Sequence, residues 1–501
     1  MKQPITFICN NMKIRTNLPP GTAVLDFLRE HEHLTGTKAA CREGDCGSCT
    51  ILVGTLHEDG KRVVYTAMTS CLLPLGDMEG KHIVSIEGLN PDMESTMADI
   101  PVTPVQRMFV EEGATQCGFC TPGFVISLTY FLLQDRPLSE ERGLEAVSGN
   151  VCRCTGYGSI QRCIRRLVQE YGPKLDGGKD RLAALIAEGI VPDYFREIPE
   201  RLESLYDNAG RKDTAPPVRS ETAGPEAGGE GYFLVAGGTD LYVQKPEELA
   251  SGAVRFVSRK TELRGISRQD GRVRIGAGTS MEELKDDPLL HEFIPDFPRY
   301  LHLIASTQIR QRATVGGNMV NASPIGDLSV FFLALGAEAG IRSGGGIRQI
   351  PLQNFFVSYK KLDLQPGENL EYIDFAVPGF STGVNFEKVS RRTHLDIASV
   401  NSAVRIRTEQ HGGSRIVREL GLSAGGVAPV PFFLEETVRF CIGKELSVEM
   451  VKEAAACADG EVSPISDVRG SAQYKRLLLR QLLFAHFLTL FPDIFAGGGL
   501  L

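Results

Sequence analysis

Twelve cysteines are spread over 501 residues, and eight of them fall into two tight groups within the first third of the chain. Cys41, Cys46 and Cys49 form C-x4-C-x2-C, with Cys71 following at a distance; Cys117 and Cys120 form C-x-x-C, and Cys152 and Cys154 form C-x-C. This feature constrains the fold more than any apolar pattern does, because thiolates that share a soft metal centre must converge from distant segments. The first group has the spacing of plant-type ferredoxins, in which four thiolates hold a 2Fe–2S cluster. Gly44 and Gly47 let its loop fold tightly and turn backbone N–H groups toward the sulfurs. Structural zinc more often takes two C-x2-4-C knuckles, whereas three of these cysteines crowd one loop, so iron–sulfur is expected. The second group by itself suits iron–sulfur or zinc. Thr121-Pro122 reads as N-cap and first-turn proline of a helix starting just after Cys120, with free N–H groups and dipole directed at the thiolates. Gly149, Gly156 and Gly158 bracket the other pair. Two four-cysteine sets on one chain imply metal sites in series, and a series of one-electron sites is a wire.

The remaining composition is that of an ordinary soluble protein, 42% hydrophobic and 23% charged. A net charge of −8 gives no reason to expect nucleic acid or an anionic membrane as partner. MKQPITFICNNMKIRT alternates like a strand and lacks a signal peptide's apolar core. Leu477 to Leu490 is interrupted by Arg480, Gln481 and His486 and is too short and polar to span a bilayer. The expected compartment is the cytoplasm, where clustered cysteines mean metal or redox chemistry rather than disulfides. The isolated Cys9, Cys163, Cys441 and Cys457 read as small buried core residues.

Along the chain, Ile5, Phe7 and Cys9 alternate up to a turn at Asn10-Asn11, and Met12 and Ile14 resume the pattern, which is a hairpin. Thr22 is expected to cap a short helix carrying Leu25 and Leu28. Strands come next near Thr50–Val53, Val63–Thr66 and His82–Glu87. Strands wrapped around one helix, with a cysteine loop between, suit a β-grasp. Beyond residue 100 the period becomes helical. Thr103-Pro104, Thr121-Pro122 and Ser139 mark three helix starts, and Ile160, Ile164, Leu167 and Tyr171 trace a fourth helix. A helical connector from Asp180 to Asn208 leads into a Gly/Pro-rich linker at 209–230. From Tyr232 strands and helices alternate around glycine loops.

Two of those loops carry chemistry. In the first, Leu234, Val235, Ala236, Gly237, Gly238, Thr239 and Asp240 follow a strand; the paired glycines let backbone amides approach a pyrophosphate, and Thr239 adds a hydroxyl. In the second, Ala313-Thr314-Val315-Gly316-Gly317-Asn318 is followed by Asn321, Ser323, Pro324 and Asp327, again bare backbone with short polar side chains. No G-x-G-x-x-G follows a strand, so a Rossmann site is not expected.

KAACREGDCGSCT, TQCGFCTPGF and SGNVCRCTGYGSIQ, together with both glycine loops, RIGAGTSMEEL, KVSRRTHLDIA and SDVRGSAQYKR, resemble the xanthine oxidase (molybdenum hydroxylase) family, and within it the iron–sulfur and FAD portion of the xanthine dehydrogenase type. The resemblance implies a multidomain α+β protein. Its parts are a β-grasp 2Fe–2S ferredoxin domain at 1–88, a four-helix 2Fe–2S domain at 89–172, connector and linker at 173–230, a non-Rossmann α+β FAD-binding domain at 231–378, and a C-terminal α+β domain at 379–501. It makes the second cysteine set an iron–sulfur site too. It assigns the first loop to the FAD diphosphate and the second to the ribityl chain and flavin. Ile304 then matches a position facing the isoalloxazine, with core packing the competing reading. Lys388, Arg391 and Arg392 would face the flavin or a nicotinamide, or be plain exposed charge, and Gln116 would lie near a molybdenum pterin. It also implies a large molybdopterin-binding partner, a heterotetramer, and NAD as acceptor. A free-standing flavin and iron–sulfur electron carrier and an NADH-oxidising diaphorase subunit are the rival readings.

Overall fold

Asn10, held at φ +51°, and Asn11 make the turn that joins strand β1 (Ile5–Cys9) to β2 (Met12–Thr16), and the pair runs in antiparallel register from Cys9↔Met12 to Ile5↔Thr16. The computed structural model describes residues 4–90, 102–176, 180–207, 232–258, 260–379 and 381–495. The linker expected at 209–230 and the connector's last residue, Asn208, lie outside the described residues. The chain divides into two compact units. The first comprises Met1–Glu221, Gly231–Arg259 and Ser306–Arg312; the second comprises Thr222–Glu230, Lys260–Ala305 and Ala313–Leu501. Among the described residues no helix is long and apolar enough to cross a membrane.

In the first unit β3 (Thr50–Leu56), β4 (Val63–Thr69) and β5 (His82–Val84) complete a five-stranded sheet in the order β2-β1-β5-β3-β4, with β1 and β5 parallel. Phe7, Cys9, Ile51, Val53 and Ile83 pack on one face against Val24, Phe27 and Leu28 of a short helix and the π-turn after it. Ile8, Leu52, Tyr65, Ala67 and Val84 face the other way, into the core of a helical layer. Burial on both faces explains why ITFIC and TILVG are nearly continuous apolar runs. This is the expected β-grasp, with two local differences. Thr22 is not the cap, since the helix begins at Val24 after an extended Ala23. The last strand stops at Val84 and continues as a 3-10 turn, Ile86–Leu89.

The helical layer consists of Pro104–Glu111, Thr121–Leu133, Glu140–Ala146 and Gly158–Leu175. Thr103 and Gln106 form a capping box, and Ser139 accepts from the Arg142 N–H, as expected. Thr121 does not cap. Cys120 holds that position, and the Thr121 hydroxyl bonds Thr115 Oγ1 at 2.8 Å instead. Thr121–Leu133 is apolar all round and buried from Gly123 to Leu132, so it is the central helix of the layer. Ile160, Ile164, Leu167 and Tyr171 are all buried, so the fourth helix shows the face its spacing promised. The connector resolves into two helices, Arg181–Ala187 and Ile198–Asp207, because Gly189 at φ +69° and Pro192 end the first of them. Tyr232–Val235 pairs in parallel with Ala253–Phe256 across two short helices.

In the second unit a five-stranded antiparallel sheet runs in the order Gly346–Pro351, Glu338–Ser343, Asn369–Ala376, Arg272–Gly276, Ile266–Gln269. Helix Asp327–Ala334, buried from Leu328 onward, packs against the second sheet of this unit, whose long strands are Val400–His411 and Ser414–Gly425. Helices Val448–Glu461 and Ala472–Leu490 close the apolar core of that sheet. Cys9, Cys163 and Cys441 are buried as expected, whereas Cys457 is only half-buried.

Candidate iron–sulfur and flavin sites

The eight clustered cysteines come together as pairs. In the first set the Cys41 thiol lies 3.3 Å from Cys46 Sγ, and Cys49 and Cys71 are buried together and interact electrostatically. The Cys41 thiol holds Cys46 down to about 5, and the same bond pushes Cys41 up. The Cys71 thiol likewise holds Cys49 down, while that contact and burial push Cys71 up. Gly44 and Gly47, at φ +79° and +66°, allow the loop to fold back on itself. In the second set Cys154 Sγ lies 3.6 Å from Cys117 Sγ, and Cys120 and Cys152 are near enough to interact electrostatically. Burial, then Cys152, raises Cys120 to about 12. Against burial, the Thr155 hydroxyl at 3.2 Å and the Thr155 N–H at 3.5 Å lower Cys152.

Among the described residues no three His, Cys, Asp or Glu side chains gather tightly enough for a single metal ion. The arrangement present in each set is two thiols plus two. That suits a binuclear centre in which each iron takes two thiolates, and it fits a tetrahedral zinc poorly. The two sets differ in exposure. Cys49 and Cys71 are 3% and 5% exposed, whereas Cys117 and Cys154 are exposed, as are Phe119, Val151 and Tyr157, which lie within three residues of them in sequence. Gln116 is exposed beside Cys117.

The two cysteine loops touch. Val151 N–H donates to the Cys46 carbonyl at 3.0 Å, and Asn150 Nδ2 donates to the Gly47 carbonyl at 3.1 Å. A Cβ at Gly123 would sit 2.2 Å from that same Gly47 oxygen, and one at Gly47 would sit 2.4 Å from the Gly149 oxygen. These glycines are therefore required by close approach of backbone.

The first glycine loop, Leu234 to Asp240, belongs to the first unit and leaves strand Tyr232–Val235. Gly238 stands at φ +77°, and a Cβ there would meet Val235 and Tyr242 at 3.2 and 3.3 Å. The turn thus leaves bare backbone where a pyrophosphate needs it. Arg312, which no sequence motif marked, fixes this loop. Its Nε donates to the Gly237 carbonyl at 2.6 Å and its terminal nitrogen lies 2.5 Å from Asp77 Oδ2. Asp77 is fully buried and also bonded to the Ser258 hydroxyl at 2.9 Å.

The second loop belongs to the second unit. Thr314 Oγ1 accepts from Gly317 N–H at 3.0 Å and caps the short helix Val315–Val320, while Gly316 packs where a Cβ would strike Ala277 at 2.7 Å. Asn318 Oδ1 accepts from Ser329, Asn321 accepts from Lys360 Nζ at 2.6 and 2.8 Å, and Ser323 Oγ accepts from Ile325 N–H at 3.4 Å. Asp327 opens the next helix, and its carboxylate is shared between Lys388 Nζ at 2.8 Å and Asn401 Nδ2 at 2.6 Å. Lys388 is therefore not a plain exposed charge; its side chain is 2% exposed and also donates to the Leu303 carbonyl, next to Ile304. Ile304 itself is buried, in a turn after helix Phe297–His302 rather than on a helix. Arg391 and Arg392 do lie at the surface, bonded to the Val468 and Leu395 carbonyls. Asn401, buried and aimed at Asp327, had no signal in the sequence beyond its place in a strand.

Four domain models match the chain in tandem. These are a 2Fe-2S iron-sulfur cluster binding domain at residues 7–75, a 2Fe-2S binding domain at 85–165, an FAD binding domain in molybdopterin dehydrogenase at 221–378, and a CO dehydrogenase flavoprotein C-terminal domain at 385–490. Xanthine dehydrogenase 1 of Arabidopsis thaliana is 29% identical over 541 residues, covering 95% of this chain and 39% of that protein. Aldehyde oxidase 2 of Rattus norvegicus is 28% identical over 544 residues, covering 99% of this chain and 40% of that protein. The chain thus spans about two fifths of these relatives. A solved chain of the carbon monoxide dehydrogenase of Hydrogenophaga pseudoflava is 29% identical, covers 51% of this chain and 88% of its own length, and superposes with a TM-score of 0.48. With two paired cysteine sets, two glycine loops and four such domains in this order, the chain belongs to the molybdenum hydroxylase family and carries that family's two 2Fe–2S clusters and its FAD.

Proposed function

We propose that this chain is the electron-transfer subunit of a xanthine dehydrogenase-type molybdenum hydroxylase, receiving electrons from a partner subunit that oxidises a purine and delivering them to NAD. The observation that supports the reading is the unequal pair of cysteine sites: one set has two exposed thiols, Cys117 and Cys154, and the other has none, on the same chain as a flavin domain. Exposed Phe119, Val151 and Tyr157, close in sequence to these thiols, would give a molybdopterin-binding subunit apolar surface to cover, and Gln116 would reach its pterin. Two such pairs would make a heterotetramer. The free state of all twelve cysteines suits the cytoplasm.

In this reading Cys41, Cys46, Cys49 and Cys71 hold the enclosed cluster, and Cys117, Cys120, Cys152 and Cys154 hold the outer one. When bound, the clusters supply one-electron storage and FAD exchanges electrons singly or as hydride, so the protein's part is placement and electrostatics. Leu234 to Asp240 present backbone amides to the diphosphate, with Gly238 supplying the turn. Thr314, Gly317, Asn318, Asn321 and Ser323 line the remainder of the cofactor. Asp327, fixed by Lys388 and Asn401, and Ile304 would lie along the flavin end of the cofactor, with the Lys388–Asp327 pair holding that part of the site in place.

The test uses the purified chain with and without its molybdenum subunit. Alone it should pass electrons from NADH to an artificial dye and leave xanthine untouched; with the partner it should reduce NAD at the expense of xanthine. Cys117→Ser should abolish the second reaction and spare much of the first. Xanthine oxidation by the partner-free chain, or equal loss of both reactions in a folded variant, would refute the reading. An aldehyde panel run alongside separates purine from aldehyde oxidation, since relatives named for each are equally similar.

A further inference from the structure

The segment Ser306–Arg312 lies in the stretch matched by the FAD-binding domain, yet it packs within the unit that holds both cysteine sites. Thr307 Oγ1 donates to the Glu145 carbonyl at 3.1 Å, Arg310 reaches the Glu145 carboxylate at 3.0 Å, and Gln311 Nε2 donates to the Tyr130 hydroxyl at 2.7 Å. These bonds anchor it on two helices of the outer-cluster domain. Ile309 packs in the apolar group that includes Cys49 and Cys71. The centre of the segment is Gln308, 1% exposed. Its Nε2 donates to Ala146 O at 2.8 Å, to Ser127 Oγ at 3.1 Å and to Asn150 Oδ1 at 3.1 Å.

The orientation of that amide propagates. Asn150 Oδ1 is held by Gln308 and by the Ser127 hydroxyl at 2.8 Å, so Asn150 must turn its Nδ2 to the Gly47 carbonyl. Reversing Gln308 would set its oxygen against two acceptors, so only one orientation is allowed. Gly47 lies between Cys46 and Cys49. One residue beyond Asn150, Val151 N–H binds the Cys46 carbonyl, and Cys152 comes directly after it. A single buried amide from the flavin-domain segment therefore locks the two hydrogen bonds that join one ligand loop to the other.

We infer that Gln308 is a positioning residue that sets the spacing between the two iron–sulfur clusters. The inference rests on the cluster ligands proposed for this chain. The Gln308 Oε1 finds no hydrogen-bond partner among the described residues, so the amide acts through its donors alone; directional bonds of this kind favour one geometry where apolar packing tolerates several, and the spacing of two redox centres is a quantity that slackness degrades. The flavin-domain segment thus keeps the two cluster loops in register, and Gln308 touches neither cluster itself.

Gln308→Met preserves side-chain length and removes the donors. In the full chain loaded with both clusters and FAD, iron, sulfide and flavin contents should match the parent, and each cluster's own EPR signal in half-reduced protein should be unchanged. The extra splitting seen when both clusters are reduced should weaken, because coupling between two spins falls with the cube of their separation. Ser127→Ala leaves Gln308 two acceptors and should weaken the splitting less, in the same direction. Unchanged splitting in fully loaded Gln308→Met overturns the inference. Loss of one cluster from that variant also overturns it, since the residue would then serve the folding of a ligand loop. Parent protein containing zinc and no sulfide would instead overturn the cluster ligands.

Discussion

The two cysteine sites use the same ligand chemistry in opposite surroundings. In the Cys41 set, Cys49 and Cys71 are buried with Leu25, Leu72 and Tyr242 while Cys41 and Cys46 are half-buried, and the loop leads into the ferredoxin sheet. The Cys117 set sits at a helix start with two of its four thiols at the surface. In the proposed function the set with exposed thiols faces the partner and the other relays within the chain. That difference comes from the secondary structure next to each motif. The first loop runs directly into a strand of a sheet buried on both faces, whereas the second is assembled from the rims of two helices.

The largest expected effect breaks the comparison at its ligands. Cys49→Ser should remove about half of the iron and lower the thermal stability of the whole chain, because the lost centre crosslinks a buried loop. Cys154→Ser should lose the same amount of iron with much less effect on thermal midpoint, since its thiol is exposed. Iron analysis with calorimetry separates the two.

The enclosed site is tied to the first glycine loop through Arg312 and Asp77. Arg312→Met would strand a fully buried carboxylate, and breaking one side of such a pair costs about 3–5 kcal/mol. The expected result is a lowered unfolding midpoint and flavin that is lost on gel filtration, with both cluster signals retained. Retained flavin would separate the loop from this clasp.

A smaller effect is carried by His82, the first residue of β5 in the ferredoxin sheet. Its Nε2 donates to the Asn10 carbonyl at 2.9 Å, and Tyr65 O–H donates to its Nδ1 at 2.8 Å. Burial depresses it to about 3. The fold therefore requires the neutral ring. Its stabilisation is complete above about pH 6.5 and is lost as pH falls toward the folded value, by up to ~1.4 kcal/mol per pH unit. Denaturant titrations across that window should show the decline, and His82→Gln should flatten it. The smallest effect is at Arg439, whose pair with Glu435 is exposed on both sides; Arg439→Ala should change stability by less than about 0.5 kcal/mol.

Much of this was legible in the residues. The hairpin, the β-grasp, the four helices and both cysteine sets arise from period, caps and spacing, because each is a local pattern. Thr22 and Thr121 misled because a threonine ahead of an apolar run looks like a cap whether or not the backbone is extended there. Lys388 and Asn401 were opaque for a different reason. Their burial depends on Asp327, more than sixty residues away, and only tertiary packing brings them together. Gln308 and Arg312 are the same case: two polar residues in a short polar run, indistinguishable in sequence from a surface turn, yet both are buried and hold other loops in place.

The contrast between an outer and an enclosed cluster is tested most directly by EPR of the reduced chain with and without a soluble paramagnetic lanthanide complex. Two 2Fe–2S signals are expected, and the complex should broaden one of them strongly, the one missing from Cys117→Ser protein, while leaving the other sharp. Equal broadening of both signals, or broadening of the one missing from Cys49→Ser protein, would contradict the account.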